Sequence, residues 1–220
     1  MANSDPGIAG QIAGNNEWSD RMEGLFAIEN LVTGSLSSKF VDYTKTVAEF
    51  VANSIGKYGS QAFVGGFMDG RTNVFQSVFQ EIRALNPMAD LAYFSWTDIP
   101  GLADFVNARQ GNVSVLAHSW GADTAARLAY SGTYMAELIT FDGVSRHADV
   151  STHDFFSGVA ANTGSWTNVN AVGGGIFDGG NWVAQIGGAW GSSPRGYADF
   201  YVEVDRNHSS VVGCAYGGCW

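Results

Sequence analysis

Residues 113–126 read Val-Ser-Val-Leu-Ala-His-Ser-Trp-Gly-Ala-Asp-Thr-Ala-Ala. An apolar run leads into Ser119 and small residues follow it. That pattern predicts a serine on a sharp turn between a buried strand and a helix, the G-x-S-x-G nucleophile elbow, with Ala117 in the place of the first glycine and Gly121 as the second. Small residues two positions to either side suit such a turn, because the strand and helix backbones approach closely there. The same turn lifts the hydroxyl above the sheet edge and brings the Trp120 N–H toward a developing oxyanion. A serine hydroxyl is a weak nucleophile, so it needs a base to take its proton and a carboxylate to orient that base. The chain has four histidines, His118, His147, His153 and His208. The elbow aims His118 away from its neighbour Ser119. His147 and His153 lie in a polar stretch, where they line the approach to the site or face water. Asp142 closes the apolar run 138–141, which puts a carboxylate at the end of a strand. Asp142-Gly143 is equally the composition of an ordinary turn.

The elements that must position these residues follow from periodicity. Short apolar runs at 61–64, 91–96, 113–117, 138–141 and 200–204 predict strands. Segments 74–85, 102–109 and 122–130 predict helices, the first closed by Asn86-Pro87. Strands alternating with helices predict an α/β fold: a mostly parallel sheet with helices on both faces, and a ligand beyond the carboxyl ends of the strands. Residues 17–32 and 37–56 also carry helical spacing, so the expected organisation is one domain, with an N-terminal helical segment over 1–58 and the core over 59–220.

The elbow, with the strand and helix around it, resembles the lipases and esterases of the α/β-hydrolase superfamily. The resemblance continues through most of residues 61–212 as an order of strands and helices. It implies an ester substrate, small-molecule or lipid, and a chain order of Ser, then Asp or Glu, then His. It makes His208 the base, because Asn207-His208-Ser209 after the last strand is similar to the Asn/Asp-His-Ser stretch that ends many lipase domains. Residues 139–144 look like the Leu-Asp-Pro-Ala segment of pancreatic-type lipases, which makes Asp142 the acid. Asp178, in a later Gly-rich loop, is the alternative acid. A second oxyanion donor is expected from residues 63–70, Phe-Val-Gly-Gly-Phe-Met-Asp-Gly, similar to the His-Gly-aromatic stretch of many lipases with Gly65 where histidine is common. The N–H of Phe67 is the expected donor beside that of Trp120, with Met68 next in line. Stretches 145–165 and 171–196 are expected to shape access to the site. The second mixes glycines with Ile176, Phe177, Trp182, Val183, Ile186 and Trp190, the composition of a mobile apolar cover, although 182–186 also reads as a short buried helix. The same catalytic set serves a thioester or an amide, and a non-catalytic module on a hydrolase fold or a secreted antibacterial lipase stands as a further alternative.

Composition narrows the partners. The net charge of −10, from 11 Lys plus Arg against 21 Asp plus Glu, repels a nucleic-acid backbone, and no basic patch offsets it. No apolar run approaches the ~20 residues of a membrane-spanning helix. No cofactor or metal is implied, since Cys214 and Cys219 lack the histidines that would complete a zinc site of about four ligands. The two cysteines either close a small C-terminal disulfide loop or stay as thiols in a reducing compartment. The start, Met-Ala-Asn-Ser-Asp-Pro-Gly, lacks the basic-then-apolar pattern of a signal peptide, which leaves the location open between the cytoplasm and export by a signal-independent route. Oligomeric state has no signature in the sequence.

Overall fold

The computed structural model describes residues 57–67, 69–145, 147, 152–174, 181, 184 and 187–216. The expected helices over 17–32 and 37–56, together with Met68, Asp178 and Cys219, lie outside the described residues. Within them are six strands: β1 Ser60–Gly65, β2 Asp90–Ser95, β3 Val113–His118, β4 Glu137–Phe141, β5 Trp166–Ala171 and β6 Phe200–Val204. They form one sheet in the order β2-β1-β3-β4-β5-β6 with every neighbouring pair parallel. The α-helical segments that lie wholly within the described residues are α1 Asp69–Thr72, α2 Val74–Leu85, α3 Ile99–Ala108, α4 Trp120–Tyr130 and α5 His153–Ala161. This is an α/β fold.

Alternation along the strands decides which side chains feed which face. Ala62 and Val64 of β1, Val113, Val115 and Ala117 of β3, and Leu138 of β4 join a core with Leu102 and Val106 of α3, the alanines of α4, and Phe155, Phe156 and Val159 of α5. Phe63, Leu116, Ile139 and Phe141 point the other way, onto Phe75, Val78, Phe79 and Ile82 of α2 and Val211 and Val212 near the C-terminus. Every residue of β1 and β3 is buried, as expected of central strands covered on both faces.

The first turn of α2 is held in an unexpected way. Asn73, before the helix, has a left-handed backbone (φ 53°) and makes no side-chain cap. The cap comes instead from Asp69, whose carboxylate accepts from the N–H groups of Phe75 at 2.7 Å and Gln76 at 3.1 Å. The Tyr93 hydroxyl, from β2, donates to the same carboxylate. Burial raises the Asp69 carboxyl and pushes the Tyr93 phenol up as well. One buried carboxylate thus ties the loop after β1 to a helix and to the neighbouring strand.

Within the stretch 145–165, helix α5 packs into the core. Thr152 caps α5 by accepting from the Phe155 N–H at 3.3 Å, and Phe155, Phe156 and Val159 then fall on one buried face. Of the apolar residues read as a cover or a short buried helix, Trp190 is buried in the core, its ring 5.5 Å from that of Phe156 in an edge-to-face contact, and Ile176, Phe177, Trp182, Val183 and Ile186 lie outside the described residues. Cys214 is buried and disulfide-bonded. Among the described residues no helix is long and apolar enough to cross a membrane.

Candidate active site

The strand order reverses between β1 and its two neighbours: the chain leaves β1 for β2 on one side and returns to β3 on the other. At such a switch point the connections leave in opposite directions and open a crevice beyond the carboxyl ends of the strands. Gly66 follows β1 at that crevice and Ser119 follows β3. Asp142 follows β4, and His208 comes after β6.

Ser119 has φ 58° and ψ −123°, a conformation that costs a non-glycine residue about 1–3 kcal/mol and persists only where its surroundings enforce it. Three backbone hydrogen bonds do so here. The Ser119 N–H donates to Phe141 O at 3.0 Å, and Ser119 O accepts from the N–H groups of Ala122 at 3.0 Å and Val144 at 3.2 Å. The need for Gly121 is steric: a Cβ there would lie 2.3 Å from Val64 O and 2.8 Å from Gly65 O. The helix after the serine therefore packs directly on the end of β1.

The structure brings Ser119, His208 and Asp142 together. His208 Nδ1 lies 2.5 Å from Asp142 Oδ2, and His208 Nε2 lies 2.9 Å from Ser119 Oγ. All three residues are buried. An ionised carboxylate only accepts, so it fixes the hydrogen on Nδ1 and leaves the Nε2 lone pair to receive the serine hydroxyl. Asp142 is itself constrained: its φ is 43°, its N–H donates to Val169 O at 2.8 Å, and its Oδ1 accepts from the Ala171 N–H at 3.2 Å.

The loop after β1 reaches the serine from the other side. A Cβ on Gly66 would stand 2.6 Å from Ser119 Cβ and 3.1 Å from its Oγ, so only glycine allows this approach. Gly66 O accepts from the Asp69 N–H at 3.2 Å. A trans peptide directs its C=O and N–H oppositely, so the Phe67 N–H points away from Asp69. Trp120 begins α4, and the N–H groups of a helix's first turn project from its N-terminus. Gly66 and Trp120, beyond the ends of β1 and β3, thus adjoin Ser119, and the rings of Phe67 and Trp120 lie 5.6 Å apart.

His147 and His153 do not join this cluster. His147 is exposed and its backbone N–H donates to Ser145 Oγ, while the ring of His153 meets the Tyr197 hydroxyl at 2.9 Å. Sequence reasoning missed two contributors. His118 Nε2 lies 2.8 Å from the carbonyl oxygen of His208, and because a carbonyl only accepts, Nε2 carries the hydrogen. Asn181 Oδ1 accepts from the His208 N–H at 2.8 Å. His208 is therefore held at both of its backbone groups. The only signal for His118 was a histidine at the end of a mostly apolar strand. Asn181, among glycines, gave none. No group of three or more His, Cys, Asp or Glu among the described residues is arranged to hold a metal ion.

Burial pushes the pKa of His118 down to about 3, and the adjacent His208 ring acts in the same direction. Unfolded, the imidazole binds its proton near pH 6.5, so below that pH the unfolded chain holds more protons than the folded one. Stability contributed by neutral His118 is full above 6.5 and falls as pH drops toward about 3, by at most about 1.4 kcal/mol per pH unit. Thermal unfolding of wild type is expected to lose more stability between pH 7 and 5 than unfolding of His118→Gln, which keeps an N–H donor and cannot titrate. Parallel pH curves for the two proteins would refute this account of His118.

Comparison with known proteins adds no relative: no protein-family model matches the chain, and neither does any curated protein.

Proposed function

We propose that this protein is a serine hydrolase of the α/β-hydrolase type that cleaves a carboxylic ester. The observation that carries this reading is the unbroken hydrogen-bonded chain Ser119–His208–Asp142, seated at the switch point of a parallel sheet. Ser119 Oγ attacks the acyl carbon while its proton passes to His208 Nε2. Asp142 holds the Nδ1–H and stabilises the imidazolium as it forms. The N–H groups of Phe67 and Trp120 donate to the tetrahedral oxyanion, an interaction stronger in the transition state than in the ground state. The imidazolium then protonates the departing alkoxide as the C–O bond breaks. A water, deprotonated by His208, releases the acyl group as a carboxylic acid and restores the serine. The strained backbone at Ser119 supports this reading, because such strain concentrates where a side chain must be presented in one orientation.

Two measurements test it together. Hydrolysis of 4-nitrophenyl esters from acetate to palmitate should proceed with a preferred chain length. A fluorophosphonate should abolish that activity while adding one adduct to the peptide that contains Ser119. Ester hydrolysis that survives the fluorophosphonate, or an adduct on a different residue, would eliminate Ser119 as the nucleophile.

A further inference from the structure

Beside the candidate nucleophile is an open pocket of about 410 Å³ lined by Phe67, Gly70, Arg71 and Trp96. That is within the range of small-molecule sites, about 300–1,000 Å³. Its walls lead to the reacting centre. The Phe67 ring is 6.2 Å from that of Trp96 and 5.6 Å from that of Trp120, and the two tryptophan rings are 4.9 Å apart in an edge-to-face contact. Trp120 is the residue after Ser119, and Gly66, before Phe67, packs on Ser119 itself. The Thr124 hydroxyl donates to Trp96 O at 2.6 Å, which fixes the tryptophan to the helix that begins at the serine.

The fourth wall carries the charge. Arg71 is exposed, and no described carboxylate pairs with it, whereas Arg109, Arg127 and Arg195 are paired with Asp90, Asp123 and Glu203. The acidic residues nearest in sequence to the pocket walls, Asp69 beside Arg71 and Asp98 beside Trp96, are turned to other work. Asp69 is buried and bound by Tyr93 and two backbone N–H groups, and the Asp98 side chain caps α3 by accepting from the Gly101 N–H at 3.1 Å. Arg83 and Arg206 likewise have no described carboxylate partner, so what sets Arg71 apart is its place in an aromatic-walled concavity. A guanidinium offers five donors in a planar fork that matches a carboxylate or phosphate.

We infer that the pocket of Phe67, Trp96 and Arg71 is an anion subsite, and that the preferred ester bears a carboxylate or phosphate that Arg71 binds while its apolar part lies on the two rings. The inference rests on Ser119 as nucleophile for the word ester, but the anion site itself can be tested without turnover. In Ser119→Ala protein, intrinsic tryptophan fluorescence is titrated with hexyl phosphate, hexanoate and 1-hexanol. At least one anion should saturate the signal, and its affinity should fall about tenfold in Ser119→Ala/Arg71→Gln and less in Ser119→Ala/Arg71→Lys, with hexanol indifferent to all three. Response to hexyl phosphate alone would assign a phosphate-bearing substrate, and response to hexanoate alone a carboxylate-bearing one. Absence of saturable anion binding, or equal binding after Arg71→Gln, overturns the subsite. In parallel, Arg71→Gln in the otherwise native chain should lower kcat/KM for mono-4-nitrophenyl glutarate about five- to tenfold and leave 4-nitrophenyl butyrate within about twofold. Arg71-dependent anion binding in a protein that hydrolyses no ester would remove the esterase reading and keep the subsite. Equal losses on both esters would remove the subsite and keep the esterase.

Discussion

Ser119→Ala is expected to lower kcat for ester hydrolysis by about 10⁵- to 10⁶-fold and to leave the protein folded. The loss is large because the hydroxyl is the atom that forms the acyl bond, and no neighbouring group replaces it. Folding should survive because the three hydrogen bonds that hold the turn come from backbone atoms, which alanine retains. What is lost is the hydrogen bond at 2.9 Å to His208 Nε2, a change of about 1 kcal/mol in stability. The measurement is kcat on the best 4-nitrophenyl ester together with the thermal midpoint. Residues that act as a unit are not additive, so Ser119→Ala/His208→Ala should be no slower than Ser119→Ala alone. Wild-type turnover by a folded Ser119→Ala protein would refute the mechanism outright. Matching losses in activity and in thermal midpoint would mean that the residue matters for folding and not for chemistry.

The parts of this site that were legible in the sequence are those where geometry restricts residue type locally. The elbow could be read because Gly121 has no room for a Cβ against Val64 O, and that restriction falls within a few residues of the serine. The segment 74–85 could be read as a helix because Phe75, Val78, Phe79 and Ile82 repeat at helical spacing and face one core. Asp142 could be picked out because it directly follows an apolar strand. What escaped depended on distant partners. Strand β5, Trp-Thr-Asn-Val-Asn-Ala, looks too polar for a strand inside a sheet, yet Asn168 is buried, its Oδ1 accepting from the Thr140 hydroxyl at 2.8 Å. The Trp166 Nε1–H donates to that same hydroxyl oxygen at 3.1 Å. A polar side chain satisfied across two strands leaves no periodic trace. The His118 contact has the same character, since its partner carbonyl lies 90 residues along the chain. The proposed oxyanion donors are backbone groups, so the glycines beside them were the whole of their signature.

Asp142→Asn should cost about 10⁴-fold in kcat with little change in stability, and the reason lies in which way the new amide must face. In the native site Oδ1 accepts from the Ala171 N–H at 3.2 Å while Oδ2 meets His208 Nδ1 at 2.5 Å. An asparagine can keep the Ala171 bond only by placing its carbonyl oxygen there, because its NH₂ group cannot accept. The NH₂ is then directed at His208 Nδ1, which must become the acceptor, and the ring hydrogen moves to Nε2. In that tautomer His208 has no lone pair to receive the Ser119 proton, although the heavy atoms have scarcely moved. Flipping the amide restores the tautomer but sets an N–H against the Ala171 N–H in a buried site, a cost of about 1–3 kcal/mol. The expected result is a folded protein that reacts slowly with both ester and fluorophosphonate, the two rates falling in parallel because both require an activated serine. Asp142→Asn within about tenfold of wild type would mean that Asp142 does not orient the base, and would return attention to Asp178.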